Sequence, residues 1–207
     1  MTARNLEFEW QNDDRRVVLM PTDIELSNLT AGGMAVPNAE WTANAEKHFF
    51  NSLRDRLAQT NAEVRVSNKG LDQPPTQIKL IKLHEVVGNS LLVFGPGSRL
   101  ALPTKTNGKW TLGPSARFLK DHYQSDYALF VHIRDSYASG ERVAAILVAG
   151  LFGVGLQGGV QRGFASLVDL NTGDVVWHNS IVRQQGELRT IDGARETADK
   201  LLTGFPG

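Results

Sequence analysis

Three groups of side chains in this 207-residue chain have types and spacings that could do chemistry. Asp23 and Glu25 sit two positions apart in the alternating stretch Asp23-Ile24-Glu25-Leu26. On a strand that spacing puts both carboxylates on one face. Paired carboxylates serve acid–base catalysis, although a solvated strand end has the same pattern. His132, Asp135 and Ser136 bring together the residue types of a nucleophilic triad. Alternation along a strand sends His132 and Asp135 to opposite faces, and no G-x-S-x-G elbow is present. A core or edge histidine with a hydrogen-bond partner is therefore expected at position 132. The third group is Gly153-Val154-Gly155-Leu156-Gln157-Gly158, which matches G-x-G-x-x-G. A dinucleotide site needs a helix opening after those glycines. Val160–Leu170 is instead β-rich, so the glycines are expected to form a turn and no cofactor is expected.

Metal chemistry has little local support. The five histidines (His48, His84, His122, His132 and His178) form no H-E-x-x-H pair or other tight ligand spacing. The chain has no cysteine. That removes disulfides, thiolate zinc sites, iron–sulfur clusters and cysteine nucleophiles together. Lys plus Arg equals Asp plus Glu at 22 each, so the formal net charge is zero. The charges also interleave, as in Arg54-Asp55-Arg56, which disfavours a nucleic-acid partner.

Hydrophobic residues make up 41% of the chain and charged residues 21%, the balance of a globular domain. The periodicity predicts one α/β domain over residues 1–207, with an arm over 1–14. Arg15–Leu26 reads as a first strand, and the uninterrupted Val17-Val18-Leu19-Met20 suits burial on both faces. Asn38–Thr60 reads as a helix with a stripe of Trp41, Ala45, Phe49, Leu53 and Leu57. Asn38 is its expected N-cap. Ala62–Ser67 reads as a short strand. Thr76–Phe94 reads as a helix carrying Ile78, Ile81, Val86, Val87 and Leu91, weakened by Gly88-Asn89. After an irregular Gly95–Gly113 and a short helix to Tyr123, Tyr127–Arg134 reads as the central strand. Gly163–Leu170 and Val175–Val182 form a hairpin about Asn171-Thr172-Gly173. Asp192–Thr203 is the last helix. The expected fold class is α/β (α+β), with helices packed on a single mixed sheet and a hairpin and helix at the end.

One element stands apart. Residues 141–160 form an apolar, glycine-rich stretch, and Val143–Gln161 carries no charge over 19 residues. That length touches the threshold for a membrane span, but the glycines and two glutamines argue for a buried helix followed by a turn. The other reading is an exposed surface for association or membrane contact, carried by Ile146, Leu147, Leu151, Phe152 and Leu156.

Two passages carry a family resemblance. One is the opening Val18-Leu-Met-Pro-Thr-Asp-Ile-Glu-Leu-Ser27 with its Thr30-Ala-Gly-Gly33 loop. The other joins Tyr127–Gly140 to Gly163–Asn179, with its Leu-Val-Asp-x-x-Thr-Gly-x-Val-Val-Trp hairpin. They resemble an uncharacterised group of proteobacterial envelope proteins, often lipoproteins. More distantly, the element order is similar to the periplasmic domain of the curli secretion lipoprotein. It is similar also to lipoprotein activators of penicillin-binding proteins and to the amino-terminal domain of the Tol–Pal propeller protein. The resemblance implies an anticodon-binding-like fold and a non-enzymatic periplasmic protein that binds other envelope proteins or itself. It also implies an outer-membrane tether through a lipidated cysteine, which this sequence lacks. The alternative is a small hydrolase or cofactor enzyme using Asp23, Glu25 or His132.

Overall fold

The computed structural model describes Phe8, Trp10 and residues 16–67, 69–70, 72–95, 100, 102, 108–184 and 186–206. Most of the arm at 1–14 and much of 95–113 lie outside them. Among the described residues, seven strands form one mixed sheet. They are β1 (Arg16–Leu19), β2 (Asp23–Leu29), β3 (Ala35–Pro37), β4 (Glu63–Val66), β5 (Tyr127–Ala138), β6 (Gln161–Asp169) and β7 (Val175–Arg183). Among the same residues five α-helices accompany the sheet: α1 (Ala39–Leu57), α2 (Pro75–Phe94), α3 (Arg117–Tyr123), α4 (Gly140–Leu151) and α5 (Ile191–Leu201).

The expected first strand is two strands. Both β1 and β2 run parallel to β5 along the same edge, and β6 runs antiparallel on the other. Val17 faces Tyr127 and Asp23 faces His132, so one extra residue sits on the β1–β2 side. Pro21 explains the break, because it has no N–H to give the ladder. The two halves then take different outer neighbours, β4 parallel to β1 and β3 antiparallel to β2. The short β3 was not expected.

Alternation on β5 sorts two cores. Tyr127, Leu129, Val131 and Ile133 join the α1 stripe Ala45, Phe49, Leu53 and Leu57 and the α5 residues Ala194, Ala198 and Leu201. Phe8 and Trp10 pack on this side, edge-on to Tyr127. Ala128 and Phe130 face the other way, against Val18, Met20, Leu80, Leu91 and Leu119. As expected, α1 starts at Asn38, whose side chain accepts from Trp41 N–H at 2.9 Å.

Helix α2 exists where the periodicity puts it, but with a different inner face. Ile78 and Val86 are exposed, while Gln77, Leu80, His84, Gly88 and Leu91 are buried. Gly88 is required by contact: a Cβ there would lie 2.0 Å from Phe164 Cε2. At the hairpin, Gly173 has φ +81°, the left-handed value its turn needs.

The packing makes two predictions, both read by denaturant unfolding. Leu53→Ala should cost roughly 2–5 kcal/mol; a loss under about 0.5 kcal/mol would mean the α1 stripe is not core. Gly→Ala in a helix ordinarily stabilises by about 1 kcal/mol. Gly150→Ala on α4, where a Cβ meets nothing within 4 Å, should follow that rule. Gly88→Ala should reverse it, costing about 1–3 kcal/mol through overpacking against Phe164. Equal effects at both positions would contradict the close approach of α2 to the sheet.

Candidate functional site

The second face of β5 changes character along the strand, from Ala128 and Phe130 to His132, Arg134 and Ser136. Asp23 lies opposite His132 in the β2–β5 register, and α2 crosses above them. The result is a compact ion cluster. Arg134 Nη1 is 2.8 Å from Asp23 Oδ1, and Arg134 Nη2 is 3.6 Å from Glu85 Oε1. Lys82 Nζ bridges the other oxygens, 3.2 Å from Asp23 Oδ2 and 3.4 Å from Glu85 Oε2. Burial works to raise the Asp23 carboxyl, but the His132 and Arg134 side chains outweigh it and hold the group well below the usual carboxylate range. The hydrogen bond to Asp23 raises Lys82 in turn.

His132 is buried, and its Nδ1 points at Asp23 Oδ2 from 3.6 Å. That contact acts on the Asp23 carboxylate electrostatically but is longer than a formed hydrogen bond, and Nδ1 has no other partner. Its ring stacks on Phe164 with centroids 4.8 Å apart. Two more histidines, the buried His84 and the half-buried His178, border the same phenylalanine. His84 Nε2 lies 3.0 Å from Ser166 Oγ, and Ser166 Oγ lies 2.9 Å from His178 Nδ1. Burial pushes His178 down to about 4 and carries His84 well below its ordinary value. Both are neutral at pH 7.

These positions revise the sequence reading. Asp23 is a part-buried member of the cluster and not a solvated strand end. Glu25 does not join it; it lines a separate groove of about 380 Å³ with Ser27, Arg134, Ser136 and Arg162. His132 and Asp135 face opposite sides, as expected. The Asp135 carboxylate accepts from Tyr137 Oη at 2.5 Å and Gln161 Nε2 at 2.7 Å. Sequence reasoning missed Lys82, Glu85 and Arg134. The i, i+3 spacing of Lys82 and Glu85 on one helix was the one local signal for them.

The apolar stretch is helix α4 followed by irregular chain. The expected buried helix is contradicted. Leu147 is 68% exposed, Leu151 84% and Phe152 79%, with Val143, Val148 and Val154 also exposed. Ile146 and Leu156 are half-buried. Ser139 Oγ caps the helix by accepting from Arg142 N–H. The buried Arg142 guanidinium donates to Ala31 O at 3.0 Å and to Gln157 O at 2.8 Å, fixing one end of α4 to the loops around it. Strand β6, and no helix, follows Gly153–Gly158. Among the described residues no helix is long and apolar enough to cross a membrane.

No known protein family matches the chain, and no curated protein matches it. Solved structures align with it at low similarity. A PelC dodecamer from Paraburkholderia phytofirmans is 14% identical with a TM-score of 0.44, covering 99% of this chain and 98% of that one. Lipoprotein GNA1162 from Neisseria meningitidis is 12% identical at 0.32, covering 84% and 82%. The LpoB C-terminal domain from Salmonella enterica is 14% identical at 0.31, covering 83% and 84%. Likeness at this level does not bear on function.

The neutral histidines make stability pH-dependent. A histidine whose folded value lies below its unfolded value of about 6.5 binds more protons unfolded, so it destabilises the fold as pH falls. For His178 the loss runs from about pH 6.5 down to about 4. Asp135, raised chiefly by burial, works in the opposite direction. The histidine part is therefore read as a difference. His178→Gln should flatten the fall in unfolding free energy between pH 7 and pH 4.5 relative to the parent chain. An unchanged slope would contradict a His178 held neutral by its surroundings.

Proposed function

We propose that this chain is a non-enzymatic protein of the bacterial cell envelope that binds other envelope proteins through the outward face of α4. The exposure of Leu147, Leu151 and Phe152 carries the reading. Between Glu141 and Arg162 the chain has no charged residue except Arg142, whose guanidinium is turned inward on carbonyl groups. A solvated helix face would carry charges, and apolar patches left in water usually mark a partner's place. An apolar, uncharged protein surface fits this face. Anionic lipid fits it less well, because Arg142 is turned inward on carbonyl groups and no other basic side chain occurs before Arg162. The periplasmic setting rests on the sequence resemblance, as does a tether to the outer membrane through a lipidated cysteine outside these 207 residues.

The hydrolase reading has less support. Asp23 and His132 do come together, but Lys82 and Arg134 engage the carboxylate that would act as base, and Glu25 lies apart.

The test is the double variant Leu147→Glu/Leu151→Glu. Its circular dichroism and thermal midpoint should match the parent. A photo-crosslinking residue at Phe152 should give a discrete protein adduct in the periplasm of the parent, and the double variant should lose it. An unfolded or insoluble variant would place the stripe in the core and overturn the proposal. A folded variant that keeps its adduct would do so too, as would one changed only in self-association or in flotation with vesicles.

A further inference from the structure

We propose that Asp23, Glu85 and His132 form a binding site for one borderline divalent cation of the zinc class, a position held here by the Lys82 ammonium. One oxygen or ring nitrogen from each of the three residues lies within 4.8 Å of the others. Zinc takes nitrogen and carboxylate oxygen at about 2.0–2.2 Å, which sets tetrahedral ligand atoms about 3.4 Å apart. Asp23 Oδ2 and His132 Nδ1, at 3.6 Å, are already near that separation. Glu85 stands on the open side of α2 with a half-buried carboxylate, and a side-chain rotation brings its oxygen closer.

An acidic cluster alone would mean little. The independent observation is His132, which is 4% exposed, with an Nδ1 that has no hydrogen-bond partner and faces the Asp23 carboxylate. A buried nitrogen without a partner is costly, and coordination would satisfy it. Arg134 holds Asp23 through Oδ1 and reaches Glu85 through Oε1, which leaves Oδ2 and Oε2 turned to the common centre. That is the supporting arrangement that orients carboxylate ligands in metal sites.

Lys82 sits between those two inner oxygens, so a cation already fills the position. Its side chain is 61% exposed and flexible, and it can leave into solvent without unfolding anything. Beside it, Asp23 and Lys82 line a cavity of about 200 Å³ with Pro21, Ile78 and Ile81, into which the lysine can swing. Arg134 keeps one positive charge beside the metal and lowers affinity. Two hard oxygens and one imidazole favour zinc-class ions over calcium or magnesium, which prefer all-oxygen shells.

Calorimetric titration of the full chain with Zn²⁺ should find one saturable site. Removing the competing ammonium by Lys82→Ala should tighten it by about tenfold, whereas a purely structural salt bridge gains nothing from that change. Glu85→Gln, at the helix surface, should weaken binding by at least about tenfold. Because His132→Asn could disturb the core, the imidazole is read by nitrogen NMR, where Zn²⁺ should shift His132 Nδ1 and leave His48 and His122 in place. No saturable binding up to about 1 mM, affinity indifferent to Glu85→Gln, or shifts confined to His48 and His122 would each overturn the proposal.

Discussion

The fold is arranged around a strand, β5, whose first part is closed to solvent on both faces. The first seven residues of β5 are buried on both faces, so the sheet needs a covering layer above and below. On one face α1 and α5 supply it, with Phe49, Leu53 and Leu57 closing over Leu129 and Val131. On the other, α2 and α3 cover Ala128 and Phe130. Helix α2 also crosses the point where the strand turns from apolar to polar. That crossing brings Lys82 and Glu85 over Asp23, His132 and Arg134 and presses Gly88 onto Phe164.

The same constraint makes α4 unusual. Strands β5 and β6 are antiparallel neighbours, a pair that a two-residue turn can join. The chain instead inserts residues 139–160, and their helix contributes little to either core. Arg142 holds its beginning through backbone carbonyls, while the leucines and Phe152 farther along stay in solvent. The apolar side chains that this element leaves on its outer face are the ones the proposed partner contact would cover.

The sequence was legible where one element decides the outcome. The α1 stripe, the Asn38 cap, the buried β5 and the Gly173 turn follow from local pattern and stereochemistry. Pro21 signalled a strand break that the long apolar run concealed. The inner face of α2 was not legible, because its buried positions include Gln77, His84 and Gly88, chosen by contact across the sheet and not by apolarity. The ion cluster was hidden for a related reason. Its members come from β2, α2 and β5, and only the β2–β5 register with α2 above brings them together. For α4, composition revealed the absence of charge, but burial and exposure look alike in composition, and only the packing separates them.

Because the chain contains no cysteine, that separation can be measured directly with single-cysteine variants. Under native conditions a thiol at Leu151→Cys should react with a maleimide at nearly the rate of a free thiol, while one at Leu53→Cys should react only as fast as the protein unfolds. If the thiol at position 151 is protected as well as the one at 53 in the isolated chain, α4 is covered by its own fold and the account of its outward face is wrong.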